Sequence, residues 1–556
     1  MTGGRDSRLV RWILWPRAWL AVAVMAALYD VWGSRYNLNP DGIAYIEMAR
    51  HALVLGPHEL INGLWSPGYP GLLMWPLSLT GVGSDLLVPA LHAANFLLYL
   101  MALGLFLRLL GPPARRNGTP DIGLTRYAVA IGSVVFAWIA LGSIGLGLIT
   151  PDFGVVLCVL ASAACCIQLE RLPHRWSWAV ALGLVLGLGY WVKGILLPLN
   201  GLLLLLLLLL PPHAARPRAK IAVSALVFAL VGLPLVLLVS ARVGRLTPGE
   251  VGRLNYAWEV DGVTPYVGWL GDSSGQFGTP THPPRVLQRQ PLTLEFATPV
   301  RATYPLWFDP SYWYAGLRPR IDFSGQWRVL RQGMADLGQL LLDQWVLIAS
   351  LAALGLATVR QPERRRDRRV PMVLAIWSAG AAVIYALVHI EPRYLAGFMA
   401  TGVIAAWAWL SVRTARRALP WVVSAAVVAL TLALGLNLQQ NTGGFDAGYR
   451  PDYLLDAAQM QHAGLHPGDR IGAVGDAFEQ YAAFAAGTPI TAQVLDSAAY
   501  WQLTASGRSA LHLRLAAAGV KAILANNVLA GMQAEGWQIM VHPDSSNVGL
   551  LLLRAP

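Results

Sequence analysis

The sequence predicts a polytopic α-helical membrane protein of about eleven transmembrane helices, followed by a small C-terminal α/β domain outside the membrane. Three observations carry that reading. Hydrophobic residues make up 55% of the 556 and charged residues only 13%, against roughly one-quarter charged in a soluble domain. The apolar residues come in blocks close to the ~20 needed to cross a bilayer. The arginines, which with three lysines give a formal net charge of +12, gather in short loops between those blocks, as a topology signal does. In a soluble protein such a charge would point to nucleic acid; confined to loops it does not, and nucleic acid is discounted as a partner.

The expected spans are 18–33, 86–108, 127–145, 152–169, 176–192, 194–210, 221–240, 337–359, 370–388, 394–410 and 420–438,. With the N-terminus inside, this count puts Arg115/Arg116, Arg171/Arg175, Arg216/Arg218/Lys220, Arg360 to Arg369 and Arg413/Arg416/Arg417 on the cytoplasmic side, as the positive-inside rule demands,. The block 66–80 is left out of the count: it is short and carries Pro67, Pro70 and Pro76, and is expected at the interface or dipping into the membrane. Arg5, Arg8, Arg11 and Arg17 precede the first apolar block without a small-residue cleavage site, which reads as a retained first span,. Cys158, Cys165 and Cys166 share one apolar segment and read as packing residues,. The Arg-rich, Ala/Gly/Leu-rich composition is that of a GC-rich bacterial genome, so the expected location is the bacterial inner membrane.

The same topology sends loop 34–85, the turn Thr150-Pro151-Asp152, the turn at Lys193, loop 241–336, the turn His389 to Tyr394 and the tail to the outer face. Residues 1–440 then form the membrane domain and 441–556 the small soluble domain. In the tail, helix-like 451–463 and 477–486 alternate with strands at 470–474, 490–495, 519–525 and 548–553,. Ile471-Gly472-Ala473-Val474-Gly475-Asp476 lacks the spacing of a dinucleotide loop and reads as a strand ending in a turn,. The cytoplasmic loops are short and basic and hold no nucleotide motif,.

Chemistry-bearing residues concentrate just after the first span. Asn39-Pro40-Asp41-Gly42-Ile43-Ala44-Tyr45-Ile46-Glu47-Met48-Ala49-Arg50 is followed by Trp65-Ser66-Pro67-Gly68-Tyr69-Pro70, an acid with aromatic companions. Asp41 begins a short amphipathic helix with Ala44, Tyr45, Met48 and Ala49 on a shared face. Read locally, its carboxylate is a helix cap. The spacing, however, resembles the first outward loop of the GT-C superfamily, the polyprenyl-phosphate-dependent glycosyltransferases that include protein O-mannosyltransferases and lipid A aminoarabinose transferases. There the acid of this loop is the proposed base, which makes Asp41 the expected base here, with Tyr45, Trp65 and Tyr69 beside the substrate. Aminoarabinose transferases carry Arg and Lys near the lipid phosphate where this chain has Ala44 and Ser66. The cations must then come from elsewhere. Lys193, in Trp191-Val192-Lys193-Gly194, and Arg393, in His389-Ile390-Glu391-Pro392-Arg393-Tyr394-Leu395, match family-like patterns and are the expected phosphate partners; the plainer reading of each is a snorkelling anchor,.

Asp152 resembles the second recurring acid of these transferases, and helix capping explains it almost as well. Glu391, His389 and Tyr394 belong to the expected substrate surroundings. Tyr304 to Tyr314, with Trp307, Asp309 and Tyr312, reads as an interfacial aromatic belt or, more sharply, as a cover over the lipid-linked sugar,. His51, His58, Glu59, His282, His389 and Glu391 match no metal-site spacing,; no metal ligand is assigned, although some members of the superfamily use a divalent cation. The resemblance implies an inverting transferase that takes a sugar from a polyprenyl phosphate, in contact with membrane lipid, and gives it to an envelope acceptor on the outer face. The alternatives are a transporter or flippase of lipid-linked sugars, disfavoured because the spans are almost free of ionisable groups and show no repeat, and a scaffold presenting the tail.

Overall fold

The computed structural model describes residues 15–80, 85–111, 127–212, 215–265, 269–271, 275–296, 301–360, 368–410, 413–415, 418–439, 445, 449–542 and 547–553. Arg5, Arg8, Arg11, Arg115, Arg116, Arg416, Arg417 and most of the basic run before Arg369 lie outside these residues.

Each expected span falls on helix. The membrane bundle comprises α1 (Pro16–Gly33), α4 (Leu87–Leu110), α5 (Ala128–Ser143), α6 (Asp152–Arg171), α7 (Ser177–Val192), α8 (Leu196–Leu209), α9 (Pro217–Val243), α15 (Arg369–Ala386), α16 (Pro392–Leu410) and α17 (Leu419–Leu438). Between them lie α2 (Pro40–Leu55), α3 (Gly68–Thr80), α10 (Val251–Glu259), α11 (Pro305–Phe308), α12 (Pro310–Trp313) and the bent pair α13 (Phe323–Asp343) and α14 (Trp345–Leu356). Five helices, α4, α6, α9, α15 and α17, are each long and apolar enough to cross a membrane alone, six if the bent pair counts as one span. The other expected spans run from 14 to 19 residues, roughly 21 to 29 Å of helix. The chain is a multi-pass membrane protein.

Two elements correct the sequence reading. The span expected at 337–359 is not one helix: α13 and α14 meet at 63°. The reason lies in α13, whose Arg328, Arg331, Asp336 and Asp343 make it amphipathic,, leaving only α14 apolar throughout. Gln344 at the bend accepts a hydrogen bond from Trp138 Nε1 at 2.7 Å. The Asp41 helix, α2, is not amphipathic in effect: Gly42 through Ala49 are all buried, including Glu47. Block 66–80 forms α3, thirteen residues with Pro76 inside, about 20 Å and too short to span.

The tail carries the expected strands and one more at Gln538–Val541, and a hairpin from loop 241–336 extends their sheet. Its sheet is built from β1 (Arg285–Arg289), β2 (Leu292–Glu295), β3 (Ile471–Val474), β4 (Ile490–Val494), β5 (Ala522–Asn526), β6 (Gln538–Val541) and β7 (Asn547–Leu552), in the order β1-β2-β4-β3-β5-β7-β6. The central β4-β3-β5 is parallel and fully buried along β3 and β4, as apolar strands covered on both faces must be. The β1–β2 hairpin comes from loop 241–336, so the α/β unit is assembled from both segments. Ile490 N–H donates to the Thr303 carbonyl at 2.8 Å and Tyr304 hydroxyl to Gln493 Oε1 at 2.9 Å, which ties the sheet to the aromatic loop.

A buried polar frame sets the turn before α6. Asp30 accepts from Leu146 N–H (2.6 Å), Asn39 Oδ1 from Ile149 N–H (2.9 Å), His92 bridges the Leu146 and Asn37 carbonyls (2.7 and 2.9 Å), and Asn95 donates to the Leu148 carbonyl (2.9 Å). Asp30 and His92 lie in spans that the sequence reading treats as almost free of ionisable groups; both are fully buried, and they satisfy backbone groups of an irregular segment. The frame brings the start of α2 hard against this turn: a Cβ on Gly42 would stand 2.7 Å from Asn39 Oδ1 and 2.8 Å from Ile149 Cβ. Likewise a Cβ on Gly68 would stand 2.8 Å from the Trp191 carbonyl oxygen, so glycine lets α3 approach the segment leading to Lys193.

Candidate active site

Four segments far apart in sequence meet at one end of the bundle. Asp41 enters from the first turn of α2, Asp152 from the first residue of α6, Lys193 from the break between α7 and α8, and Arg393 from the first turn of α16. Proline at the head of α2 and α16 fixes where each helix starts and so where its acid or base emerges,. Neither acid is a helix cap. Asp41 Oδ1 accepts from Trp307 Nε1 at 3.2 Å and its Oδ2 faces Arg393 Nη2 at 3.6 Å. Asp152 Oδ1 accepts from Lys193 Nζ at 2.6 Å; its Oδ2, buried and without a hydrogen bond, faces Arg393 Nη1 at 3.8 Å.

Arg393 is the hub. Its guanidinium binds Glu391 through Nε at 2.5 Å and Nη2 at 3.1 Å, the fork geometry that lysine cannot reproduce. Tyr394 hydroxyl donates to Glu391 Oε1 at 2.7 Å, and the Tyr394 ring lies 4.1 Å from Lys193 Nζ, a cation–π contact. His389 Nε2 approaches Glu391 Oε1 at 3.3 Å from the exposed rim. Two cations thus share one cluster with three carboxylates, and most of these side chains are largely but not wholly covered: Asp41 is 24% exposed, Lys193 22% and Arg393 15%.

The acids are tuned apart. Burial raises the Asp41 carboxyl above the ordinary value for aspartate, against the opposing pull of Arg393 and the Trp307 hydrogen bond. Burial also acts on Glu391, but hydrogen bonds from His389, Arg393 and Tyr394 outweigh it and hold that carboxyl well below the usual range. Divergent acids in one site are the signature of assigned proton-transfer roles: Asp41 suits a base, and Glu391 a permanently charged clamp.

An aromatic wall closes over Asp41. Tyr45 meets Trp65 and Tyr69 edge-on at 5.1 and 5.3 Å, Trp65 meets Trp307 at 5.4 Å, and Phe478 from the tail packs on Trp307 at 5.0 Å. The wall is pinned from below. Glu47 accepts from the Thr303 N–H and hydroxyl at 2.7 and 2.6 Å, Asn62 donates to the Phe308 carbonyl at 2.8 Å, and Trp65 Nε1 donates to the Trp307 carbonyl at 3.2 Å.

Of the residues singled out in the sequence, Asp41, Tyr45, Trp65, Tyr69, Asp152, Lys193, Trp307, Glu391, Arg393 and Tyr394 come together, with His389 at the edge. Asp309 and Tyr312 do not. They line a separate cavity of about 1040 Å³ at the far end of α2, together with His51, Glu59 and His282. There Asp309 accepts from the Ser311 hydroxyl and faces Arg242 at 3.6 Å. Among the described residues no three His, Cys, Asp or Glu side chains form a metal-holding group. Sequence reasoning missed the polar frame of Asp30, Asn39, His92 and Asn95, whose only signal was polar residues inside apolar blocks. It also missed Glu47 and Phe478, which carry no local signal at all.

This bundle, with its charged end cluster and appended sheet, has known counterparts. ArnT from Cupriavidus metallidurans bound to undecaprenyl phosphate is similar with a TM-score of 0.52 at 14% identity, over 96% of this chain and 98% of that one; the apo state of the same protein gives 0.50 over the same shares, also at 14% identity. The fold is shared with these ArnT structures. The Archaeoglobus fulgidus oligosaccharyltransferase aligns more loosely, with a TM-score of 0.45 at 13% identity over 91% of this chain and 69% of that one. No protein-family model matches the sequence, and no curated protein matches it. At 14% identity the fold is what is shared with ArnT; the side chains of the end cluster have to be read for themselves.

Proposed function

We propose that this protein is an inverting glycosyltransferase that moves a monosaccharide from a polyprenyl phosphate to an envelope acceptor on the outer face of the bacterial inner membrane. One observation carries the reading: a base-like carboxylate, Asp41, shares the Arg393 guanidinium with Asp152, which in turn holds Lys193. In the reaction Asp41 takes the proton of the acceptor hydroxyl or amine as that atom bonds the anomeric carbon. The bond from that carbon to the phosphate oxygen breaks and its electron pair leaves with the phosphate. Arg393 and Lys193 stabilise the departing charge. As phosphate draws on Arg393, the guanidinium pulls less on Asp41, whose basicity rises when it is needed. A single base is what inversion requires, unlike the acid–nucleophile pair of retaining enzymes.

The fold supports the donor class, since the ArnT neighbour is bound to undecaprenyl phosphate, and so do Lys193 and Arg393, which offer the charge that Ala44 and Ser66 do not. The transporter alternative finds less support: the buried Asp30 and His92 are consumed by backbone groups of the 146–149 turn and form no path. The test is sugar transfer by Asp41→Asn, which removes the base and keeps the shape.

A further inference from the structure

The cavity at the far end of α2 is unusually basic. Five arginines line it, Arg242, Arg245, Arg253, Arg301 and Arg318, against the lining carboxylates Glu59 and Asp309. The five are not equivalent. Arg245 and Arg253 both bind Glu250, which is fully buried behind the lining, at 2.7 and 2.5 Å; they are structural. Arg242 is half committed to Asp309 at 3.6 Å. Among the described residues Arg301 and Arg318 have neither a hydrogen bond nor an ion pair from their side chains. In the same lining His282 and Tyr312 stack face to face, ring centres 4.0 Å apart and planes within 3°, with His282 Nδ1 3.1 Å from the Tyr312 carbonyl oxygen. A flat aromatic platform lining the same cavity as uncommitted guanidinium groups matches a sugar face joined to an oxyanion,.

The position of the cavity adds to this. Arg242 ends the spanning helix α9, so the opening sits at headgroup depth. Trp307 covers Asp41 while the next two residues, Phe308 and Asp309, line the cavity. Asp41 and His51 stand ten residues apart on α2, about 15 Å. We infer that this cavity binds an anionic saccharide, a sugar carrying phosphate or carboxylate, as the headgroup of the acceptor. This rests on the transferase reading above and adds the acceptor's chemistry: its charged group lies about 15 Å from the atom that receives the sugar.

Binding tests it without turnover, so this assignment and the transferase reading fail separately. The purified full-length protein in neutral detergent at low salt is titrated with glucose 1-phosphate, glucuronate, glucose and inorganic phosphate, followed by saturation-transfer NMR and calorimetry. At least one of the two anionic sugars is expected to bind more tightly than glucose and inorganic phosphate, the better of them naming the oxyanion, and to weaken as salt is added. Arg301→Gln/Arg318→Gln removes no internal ion pair, so it should fold normally and weaken that sugar about tenfold to a hundredfold. Asp41→Asn and Arg393→Gln should leave the affinity unchanged. The proposal is overturned if neither anionic sugar exceeds glucose, if inorganic phosphate binds as well as they do, if the double arginine variant binds like the parent, or if Arg393→Gln abolishes binding, which would put the probe at the donor site.

Discussion

Replacing Asp41 by asparagine separates the basicity of its carboxylate from its place in the hydrogen-bonded cluster. Asparagine is nearly isosteric, and its carbonyl oxygen still accepts from Trp307 Nε1, now at 3.2 Å. Arg393 keeps both hydrogen bonds to Glu391 and its approach to Asp152, so the hub holds its place. What disappears is one ion pair at 3.6 Å between partly exposed groups, about 1 kcal/mol or less, and all of the basicity. The expected result is a melting temperature close to that of the parent and a rate lower by roughly 10²- to 10⁴-fold, about 2.7 to 5.5 kcal/mol of barrier. The assay is transfer of labelled sugar from the polyprenyl phosphate that the parent accepts, in detergent, with melting followed alongside. The pH profile sharpens it. A base works deprotonated, so the parent's rate falls as pH drops through the Asp41 pKa, which burial lifts above the ordinary value for aspartate; the variant has no such limb. A folded Asp41→Asn protein that turns over like the parent refutes the base and the mechanism built on it.

Three further outcomes follow from the same geometry. Trp307→Phe keeps the ring packing but removes the N–H that lowers the Asp41 pKa, so the acid limb of the rate profile should move to higher pH; an unmoved limb would mean that Trp307 does not address the working carboxylate. Asp152→Asn strands Lys193 in a mostly covered site and should cost about 3 kcal/mol of stability, whereas Asp152→Asn/Lys193→Met should melt near the parent yet transfer no sugar; an equally unstable double variant would argue against a paired charge. For the face, cysteine at the exposed His58 should react with a membrane-impermeant maleimide added outside cells and cysteine at the exposed His174 only after lysis; the reverse pattern would invert the topology.

The sequence by itself determined the class of the molecule, because apolar block length and loop arginines are properties that local composition carries. It determined the tail strands for the same reason: β3, β4 and β5 are runs of buried apolar residues bounded by turn residues,. Proline starts and span breaks also made Asp41, Asp152, Lys193 and Arg393 visible as charges at helix ends. Their roles were not visible, since a capping acid and a catalytic acid look alike until the partner is known. Tertiary structure decided which partner each has, by bringing Arg393 to Asp41 and Asp152 across hundreds of residues and leaving no helix amide on either carboxylate. It also decided the bend at Gln344, the assembly of one sheet from two distant segments, and the separation of Asp309 and Tyr312 from the Asp41 cluster. Each of these depends on long-range contacts, Trp138 on Gln344, Leu294 beside Gln493, Ser311 and Arg242 around Asp309, and a periodicity read along one segment carries no information about a neighbour supplied by another.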